Sequence, residues 1–151
     1  MNDAYWMQEA LALAQKAATE EEVPIGALLV NQAAQVIGRG YNHPIRACDP
    51  TAHAEILALR EAARTMQNYR LPGTTLYCTL EPCAMCAGAL IQARVARVVF
   101  AAFDEKGGAL VSILHLLDQP ALNHRAQVQG GILQEASVKL LQHFFKQRRG
   151  V

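Results

Sequence analysis

The chain lacks the features that mark membrane, secreted and uniformly basic nucleic-acid-binding proteins. Its 151 residues carry a net charge of +1, so any nucleic-acid surface must be local. A membrane span needs roughly 18 uncharged apolar residues, and the nearest candidate, "ALIQARVARVVFAAF", is interrupted by Gln92, Arg94 and Arg97. Asp3 comes early and no apolar run follows a basic start, which predicts that the N-terminus is not a signal peptide. We therefore expect a cytoplasmic protein with no membrane association.

Internal repeats, low-complexity runs and linkers are also missing. A composition of 52% hydrophobic and 18% charged residues is typical of a globular protein, and the length predicts one domain over residues 1–151. The four cysteines come without a secretion signal and indicate a reducing compartment. In such a compartment a close cysteine pair serves a metal or catalysis more often than a structural disulfide.

The succession of predicted elements is typical of an α/β protein. An apolar stripe predicts a helix over 3–18, which Asp3 can cap, and apolar runs at 25–30 and 35–40 predict a hairpin. The next helix lies in "AHAEILALREAARTM", with either Asp49 or Thr51 as its cap. The remaining elements are strands at 74–80, in "ARVVFAA" and at 126–129, and helices behind Pro82, over 109–118 and over 132–149.

Alternating helices and strands imply right-handed crossovers between parallel strands, whereas the hairpin adds antiparallel ones. We therefore predict a three-layer α/β domain in which a mixed five-stranded sheet is flanked by helices. In such a sheet, ligands bind beyond the carboxyl ends of the parallel strands, where helix N-termini point. The segment "TLEPC" (79–83), a strand end that turns into a helix start, is a place of that kind.

The motif "TLEPCAMCAGAL" (79–90) holds two cysteines, Cys83 and Cys86, directly behind Pro82. Their spacing places both thiols on one face of a first helical turn. A helix N-terminus lowers thiol pKa values and favours the thiolates that bind metal. Three interpretations compete, namely a zinc site, a redox pair and two small core residues. Cys48 and Cys78 are predicted to be small buried residues, and Glu81 is either a helix-dipole partner or a pocket residue.

The candidate third ligand is His53, because no second C-x-x-C is present to complete a four-cysteine site. Three ligands leave a fourth position open for water, as in catalytic zinc sites. Zinc lowers the pKa of that water towards about 7 and supplies hydroxide at neutral pH. Glu55 lies two positions beyond His53, about 200° round a helix. We therefore expect Glu55 to flank the metal and move protons instead of joining its ligands. The other four histidines are predicted to be surface or structural residues.

The pattern H-A-E (53–55) followed by P-C-A-M-C (82–86) matches the signature of zinc-dependent nucleobase deaminases. Together with "DPTAHAEILALR", "TLYCTLEPCAMCAGALIQAR", "LNHR" and "FFKQRR", the chain resembles the bacterial tRNA adenosine deaminases. The resemblance implies a cytidine-deaminase-like fold and a cytoplasmic homodimer. It also implies a hydrolase that converts the wobble adenosine of a tRNA anticodon to inosine and releases ammonia.

The resemblance further assigns roles to individual residues. It implies one zinc ion per chain, held by His53, Cys83 and Cys86, with Glu55 as proton shuttle. It places Asn42 and the backbone of Ala54 on the edge of a flipped base, with Ile25 as an apolar wall. The residues that it places against the anticodon stem-loop are Asp104, Lys106, Asn123, Arg125, Phe144, Phe145 and Arg148.

The C-terminal tail also points to RNA on its own composition. Residues 139–149 contain four Lys or Arg residues, no acid and two adjacent aromatics. Positive charge follows phosphates and aromatic rings stack on unpaired bases, which suits a single-stranded loop. The alternative is an ordinary C-terminal helix with Leu140, Leu141 and Phe144 in the core and a solvated basic end.

Two other functions compete with RNA deamination. One is a deaminase of a free nucleobase or nucleotide, of the guanine or cytosine type, which would have a closed pocket without a basic groove. The other is a non-catalytic zinc module that binds a partner protein and would tolerate the loss of Glu55. The basic tail argues against the first of these.

Overall fold

The structure is a computed structural model that describes residues 1–149, with the side chain of Arg149 outside the described part. Its helices and strands are, in chain order, α1 (Asp3–Thr19), β1 (Gly26–Val30), β2 (Val36–Tyr41), α2 (Pro44–Ala47), α3 (Ala54–Met66), β3 (Thr75–Leu80), α4 (Ala84–Ala93), β4 (Arg97–Ala102), a 3₁₀ turn (Leu116–Asp118), β5 (Gln127–Gln129) and α5 (Gln134–Arg149). Within the described chain, no helix combines the length and the apolarity that crossing a membrane requires.

The five strands form one mixed sheet in the order β2-β1-β3-β4-β5. Strand β1 is antiparallel to both β2 and β3, whereas β4 is parallel to β3 and β5. The predicted hairpin and the predicted parallel pairs are therefore confirmed. Because β2 and β3 flank β1 and both run opposite to it, their carboxyl ends lie at the same edge of the sheet.

Helices cover both faces of the sheet, which confirms the predicted three-layer α/β architecture. On one face, Ala58 of α3 and Leu90 of α4 pack against Leu29 and Leu76 of the sheet. On the other face, Met7, Ala10 and Ala14 of the apolar stripe of α1 are buried. Trp6 of the same helix packs in a cluster with strand residues and with the segment before α5. Burial of both sheet faces explains why β1 and β4 are almost continuously apolar.

Small residues bring β2 unusually close to α3. A Cβ atom added at Gly40 would collide with the carbonyl oxygen of Ala54, and one added at Gly38 would collide with that of Ala58. Any larger residue in these two positions would push the helix away from the sheet. The glycines therefore fix where α3 starts relative to β2, which matters because His53 stands at that start.

Both predicted helix caps are wrong in detail. Asn2, and not Asp3, caps α1, since its Oδ1 accepts a hydrogen bond from the Tyr5 N–H at 2.9 Å. Helix α3 begins after His53 because Asp49 and Thr51 are used in the turn that precedes it. In that turn, the Asp49 carboxylate accepts hydrogen bonds from the backbone and the hydroxyl of Thr51.

Two further expectations are corrected. The segment 109–118 is not a helix except for the short turn at Leu116–Asp118, because the N–H groups at its start are bound by the Glu81 carboxylate. Cys48 was expected to be buried but is exposed, at the end of the short surface helix α2, none of whose residues is buried. Cys78 is fully buried, as predicted.

Candidate active site

The fold brings three candidate metal ligands to one edge of the sheet. His53 is the residue that precedes α3, which follows β2 and the short helix α2, and Cys83 precedes α4, which follows β3. Both helices therefore start at the edge where β2 and β3 end. Cys86 lies in the first turn of α4, on the same side as Cys83. Pro82 has no backbone N–H group to continue the strand, and it stands directly before Cys83, the residue at which α4 starts.

The distances between the three side chains fit a zinc ion. Nδ1 of His53 lies 3.6 Å from Sγ of Cys83 and 3.5 Å from Sγ of Cys86. A tetrahedral zinc ion with ordinary bond lengths would place a nitrogen and a sulfur ligand about 3.6 Å apart. All three ligand atoms lie within 4.8 Å of one another, and this is the one such group found among the described residues. The set provides three ligands, as a catalytic zinc site does.

The electrostatics of the cluster also suit a cation. Hydrogen bonds from Cys86 and from the His53 ring lower the pKa of Cys83 to about 3. The hydrogen bond to Cys83, together with burial, raises the pKa of Cys86, which acts as the donor of the pair. The hydrogen bond between the His53 ring and Cys83 raises the pKa of His53. The side chains thus share protons that a divalent metal ion would displace on binding.

Glu55 is the buried acid beside these ligands. It is the second residue of α3 and is 4% exposed. Burial raises the pKa of its carboxyl group, so the protonated form is more accessible near neutral pH than in an exposed glutamate. A buried carboxyl group that can take up and release a proton is suited to general acid–base catalysis. The Glu55 carboxyl group interacts electrostatically with Cys83 and His53 and forms a hydrogen bond with Cys86.

Asn42 links the end of β2 to the start of α3. Its side-chain Oδ1 accepts a hydrogen bond from the Ala54 N–H at 3.1 Å, and its own N–H donates to the Ile25 carbonyl at 3.0 Å. The structure therefore brings together the three residues that were expected to contact the base. The Ala54 N–H is already engaged by Asn42, however, so the side-chain amide of Asn42 is the group of this pair that can face a ligand.

Some of the residues expected to contact RNA line one groove. It has a volume of about 500 Å³ and separates the loop after β4 from α5. Asp104 and Lys106 stand on the loop side, and Phe145 stands on the helix side with 43% of its surface exposed. The other lining residues are Val23, Leu80, Phe103, Glu105 and Leu141. One end of the groove is thus Leu80, the last residue of β3, which lies three residues before Cys83 in the sequence.

The structure separates the two adjacent phenylalanines of the tail. Phe144 is 8% exposed, so the expectation that its ring faces RNA is wrong. Successive residues of a helix point about 100° apart, which puts Phe144 on the core side of α5 and Phe145 on the outer side. Arg148 lies 5.0 Å above the Phe144 ring. Asn123 and Arg125 are exposed, in the segment before β5 and outside the groove.

The part played by Glu81 could not be inferred from the sequence. Its buried carboxylate accepts hydrogen bonds from the loop that follows β4, at sequence separations of 23 to 31 residues. Although burial alone would raise its pKa, hydrogen bonds from Ser112, Val111 and Asp104 outweigh burial and lower it. The position of Glu81 before Pro82 gave no signal of these distant partners.

Comparisons with known proteins point to the same chemistry. Residues 1–102 match the family model described as the cytidine and deoxycytidylate deaminase zinc-binding region. The tRNA-specific adenosine deaminase of Haemophilus influenzae is 50% identical over 147 residues, which cover 97% of this chain and 85% of that protein.

Solved structures extend the similarity to the fold. A structure from a study of A-to-I editing by tRNA:A34 deaminases at the wobble position has a TM-score of 0.87 and 42% identity, over 91% of this chain and 99% of that one. The guanine deaminase of Nitrosomonas europaea has a TM-score of 0.79 and 25% identity, over 91% of this chain and 81% of that one. The chain belongs to the cytidine and deoxycytidylate deaminase family and, within it, to the tRNA-specific adenosine deaminases.

Proposed function

We propose that this protein hydrolyses the wobble adenosine of a tRNA anticodon to inosine and ammonia, in the cytoplasm and with one zinc ion per chain. The observation that carries the proposal is the juxtaposition of His53, Cys83 and Cys86 at zinc-binding distances with the buried acid Glu55 beside them. Its support is the 50% identity with a tRNA-specific adenosine deaminase over nearly the whole chain.

The residues of the chain divide the chemistry among them. His53 Nδ1 and the two cysteine sulfurs would hold zinc, which, when bound, acts as a Lewis acid and activates water. Glu55 accepts a proton from the attacking water and delivers it to N1 of the adenine ring. The same carboxylate then takes the proton of the new C6 hydroxyl group and passes it to the exocyclic amine, which leaves as ammonia while a carbonyl oxygen remains at C6 and the proton on N1 stays in place. Burial keeps bulk water from competing for these protons.

Asn42 and Ile25 form the wall that would orient the base. The Asn42 amide is held by its hydrogen bond to Ala54 and can pair with a hydrogen-bonding edge of the purine. Ile25 is half-buried and packs against the core, which gives the base a fixed apolar contact. The target nucleotide must leave its stack to reach this wall, and an unpaired anticodon loop allows that at modest cost.

The groove between the loop after β4 and α5 would receive nucleotides that flank the target. Phe145 offers an exposed ring for stacking, and Lys106 offers positive charge for a phosphate. Outside the groove, Arg125, Asn123 and Arg148 would make further contacts. A net charge of +1 gives no general attraction to RNA, so these local groups must provide the affinity.

We propose that a second copy of the chain packs against α3 and α4. An apolar groove of about 360 Å³ lies between α3 and α4, and Tyr69 at its rim is 71% exposed. Covering apolar side chains of this groove with a second copy would remove them from water, which favours association. The apolar lining residues are Ile56, Leu59, Ala63, Leu71, Ala89 and Ala93.

The similarity to a guanine deaminase makes a free purine base the second candidate substrate. The exposed Phe145 and the groove beside it favour RNA, because a free base would need neither. The non-catalytic alternative leaves Glu55 without a role, whereas a buried carboxyl group beside the ligand set, its pKa raised by burial, is suited to proton transfer.

The deciding experiment incubates the protein with an anticodon stem-loop that carries adenosine at the wobble position and measures inosine by nucleoside analysis. We expect inosine at that position only, and none with a stem-loop whose sole loop adenosine lies elsewhere. Parallel reactions with free guanine, cytosine and adenosine provide the comparison. Faster turnover of a free base than of the stem-loop would replace the RNA proposal with the small-molecule one.

A further inference from the structure

Glu81 is a buried acid that the proposed chemistry does not use. It follows β3, precedes Pro82 and is 2% exposed. Its Oε2 accepts hydrogen bonds from the backbone N–H groups of Leu110, Val111 and Ser112 at 3.1, 2.8 and 2.9 Å. Its Oε1 accepts from the Asp104 N–H at 3.1 Å and from the Ser112 hydroxyl. One carboxylate thus binds five donors from the chain segment after β4, here called the 103–112 loop.

The 103–112 loop is also fitted closely against Glu81 and its neighbour. A Cβ atom added at Gly108 would collide with the Glu81 carboxyl group. The Ala109 N–H donates to the Pro82 carbonyl at 2.9 Å, and Ala109 is buried in the core. The loop is therefore tied to the two residues that immediately precede the metal ligand Cys83.

The same loop forms one wall of the groove that would receive flanking nucleotides. The Asp104 side chain accepts hydrogen bonds from the Lys106 and Gly107 N–H groups, both at 3.1 Å, which fixes the turn that carries Lys106. Phe103, Asp104 and Lys106 line the groove opposite Phe145. A continuous set of hydrogen bonds thus runs from the turn before Cys83 to the groove wall.

We propose that Glu81 is a positioning residue that fixes the 103–112 loop relative to the metal-ligand turn and thereby sets the groove for nucleotides beside the target base. The substrate class in this inference rests on the proposed function. Glu81 contacts neither the target base nor the three metal ligands, and it acts through the loop. Its loss should therefore weaken substrate binding while leaving the zinc site and the chemical step in place.

Only an ionised carboxylate meets the demands of this position. All five neighbours are donors, and a carboxylate provides acceptors alone. In Glu81→Gln, the amide NH₂ would face N–H groups in either orientation. Buried donors would be left unpaired, and the loop would have to move away to reach water. The substitution nevertheless keeps the size of the side chain, so it leaves no cavity in the surrounding packing.

The test compares Glu81→Gln with the parent protein and with Glu9→Gln, which makes the same change at an exposed position on α1. Zinc content, amide hydrogen exchange, and the KM and kcat for an anticodon stem-loop are measured on each zinc-loaded protein. We expect Glu81→Gln to retain zinc and to exchange the amides of residues 104 and 110–112 faster. We also expect a KM higher by about tenfold or more, a loss of about 1.4 kcal/mol, and a kcat within about threefold of the parent, because chemistry is untouched. Glu9→Gln should match the parent.

Unchanged amide exchange in Glu81→Gln would overturn the proposal, and so would a fall in kcat at constant KM. If Glu81→Gln does not fold, Ser112→Ala decides instead. It removes one of the five donors and leaves the carboxylate bound by four N–H groups. It should then show the same pattern at smaller amplitude, and a parent-like exchange and KM would overturn the proposal. A parent protein that does not deaminate the stem-loop would refute the proposed function alone, because the exchange measurement still tests the hold of Glu81 on the loop.

Discussion

The Asp3 carboxylate and the Arg97 guanidinium form a two-point ion pair that joins the start of α1 to the start of β4, with N–O distances of 2.8 and 2.7 Å. The Tyr77 hydroxyl donates a third hydrogen bond to Asp3 at 2.8 Å. The pair links the first helix to a strand 94 residues later in the sequence. It therefore contributes to the stability of the whole fold and not to one element.

This pair predicts how stability depends on acid. The Arg97 hydrogen bond lowers the pKa of Asp3, although burial opposes it. A carboxylate with a lowered folded-state pKa adds stability that is present above its unfolded pKa of about 3.9 and is lost as the pH falls through the folded value. We expect Asp3→Asn to lower the free energy of unfolding by about 1 kcal/mol near neutral pH, since the pair is partly exposed. The difference from the parent should shrink as the pH falls below about 3.9 and through the lowered folded-state pKa of Asp3.

Urea unfolding of the parent, Asp3→Asn and Glu9→Gln across this pH range checks the prediction. Glu9 is an exposed acid on the same helix, and its substitution should change the free energy of unfolding little at any pH. A constant gap between Asp3→Asn and the parent from neutral to acid pH would show that the ion pair is not the source of the acid sensitivity.

The zinc site predicts a metal content of one ion per chain. The metal site forms only in the folded chain, so the free energy of zinc binding adds to the folding free energy. Cys86→Ala should therefore lose both zinc and stability. Cys78→Ala removes a buried thiol from β3 without removing a ligand and should retain zinc. Elemental analysis of the purified variants measures this. A zinc-free parent in which Cys83 and Cys86 cycle as a disulfide would favour the redox interpretation of the motif.

Glu55→Gln separates proton transfer from metal binding. The amide has nearly the same size but cannot shuttle a proton, so we expect zinc and fold to be retained and kcat to fall on the order of 10²–10⁴-fold. Zinc analysis and measurement of kcat for deamination of the stem-loop check both expectations. Loss of zinc from this variant would make Glu55 a ligand, and unchanged turnover would place the proton shuttle elsewhere.

The apolar groove between α3 and α4 predicts a homodimer. Sedimentation at micromolar concentration should give about twice the chain mass of 16.5 kDa. Ala89→Arg would place a charge in the groove, and we expect it to shift the protein towards monomer. Ala12→Arg, at an exposed position of α1, is the matched control and should stay dimeric. A parent protein that sediments as a monomer would remove this proposal.

The sequence predicted those parts of the fold that depend on local periodicity and on a compact motif. The stripe of α1 and the apolar strands β1 and β4 each carry their own signal, and the metal ligands lie in two short motifs at helix starts. What the sequence did not predict depends on distant partners. The segment 109–118 has helical composition, but Glu81 lies about 30 residues away and captures the N–H groups that a helix would need.

Resemblance and periodicity also gave different answers for the tail. The resemblance placed both Phe144 and Phe145 on RNA, whereas a step of about 100° per residue turns adjacent side chains of a helix in different directions. The alternative of an amphipathic C-terminal helix correctly put Phe144 in the core. Family similarity marks which segment matters, and the 100° step of the helix decides which side chain in it can touch a ligand.

These two phenylalanines provide the last prediction, which addresses the substrate class. Phe145→Ala removes an exposed ring from the groove and should weaken binding of an anticodon stem-loop by roughly 1–3 kcal/mol, the usual contribution of a base stacked on an aromatic ring. Its stability should remain close to that of the parent. Phe144→Ala makes the same change one residue earlier, in the core, and should cost roughly 3 kcal/mol or more of unfolding free energy.

Fluorescence titration of a labelled stem-loop and urea unfolding, both on the two variants and the parent, measure these opposite outcomes. The affinity of the parent should fall with salt, with log K declining by roughly 0.7 per phosphate contact per log unit of salt for a single strand. Phe145→Ala should keep that slope because it carries no charge, whereas Lys106→Ala should flatten it by about one contact. A Phe145→Ala variant that binds and deaminates the stem-loop as well as the parent would remove the groove from the RNA-binding surface. The exposed ring would then have to be explained by another contact, and the free-base alternative would gain by the same result.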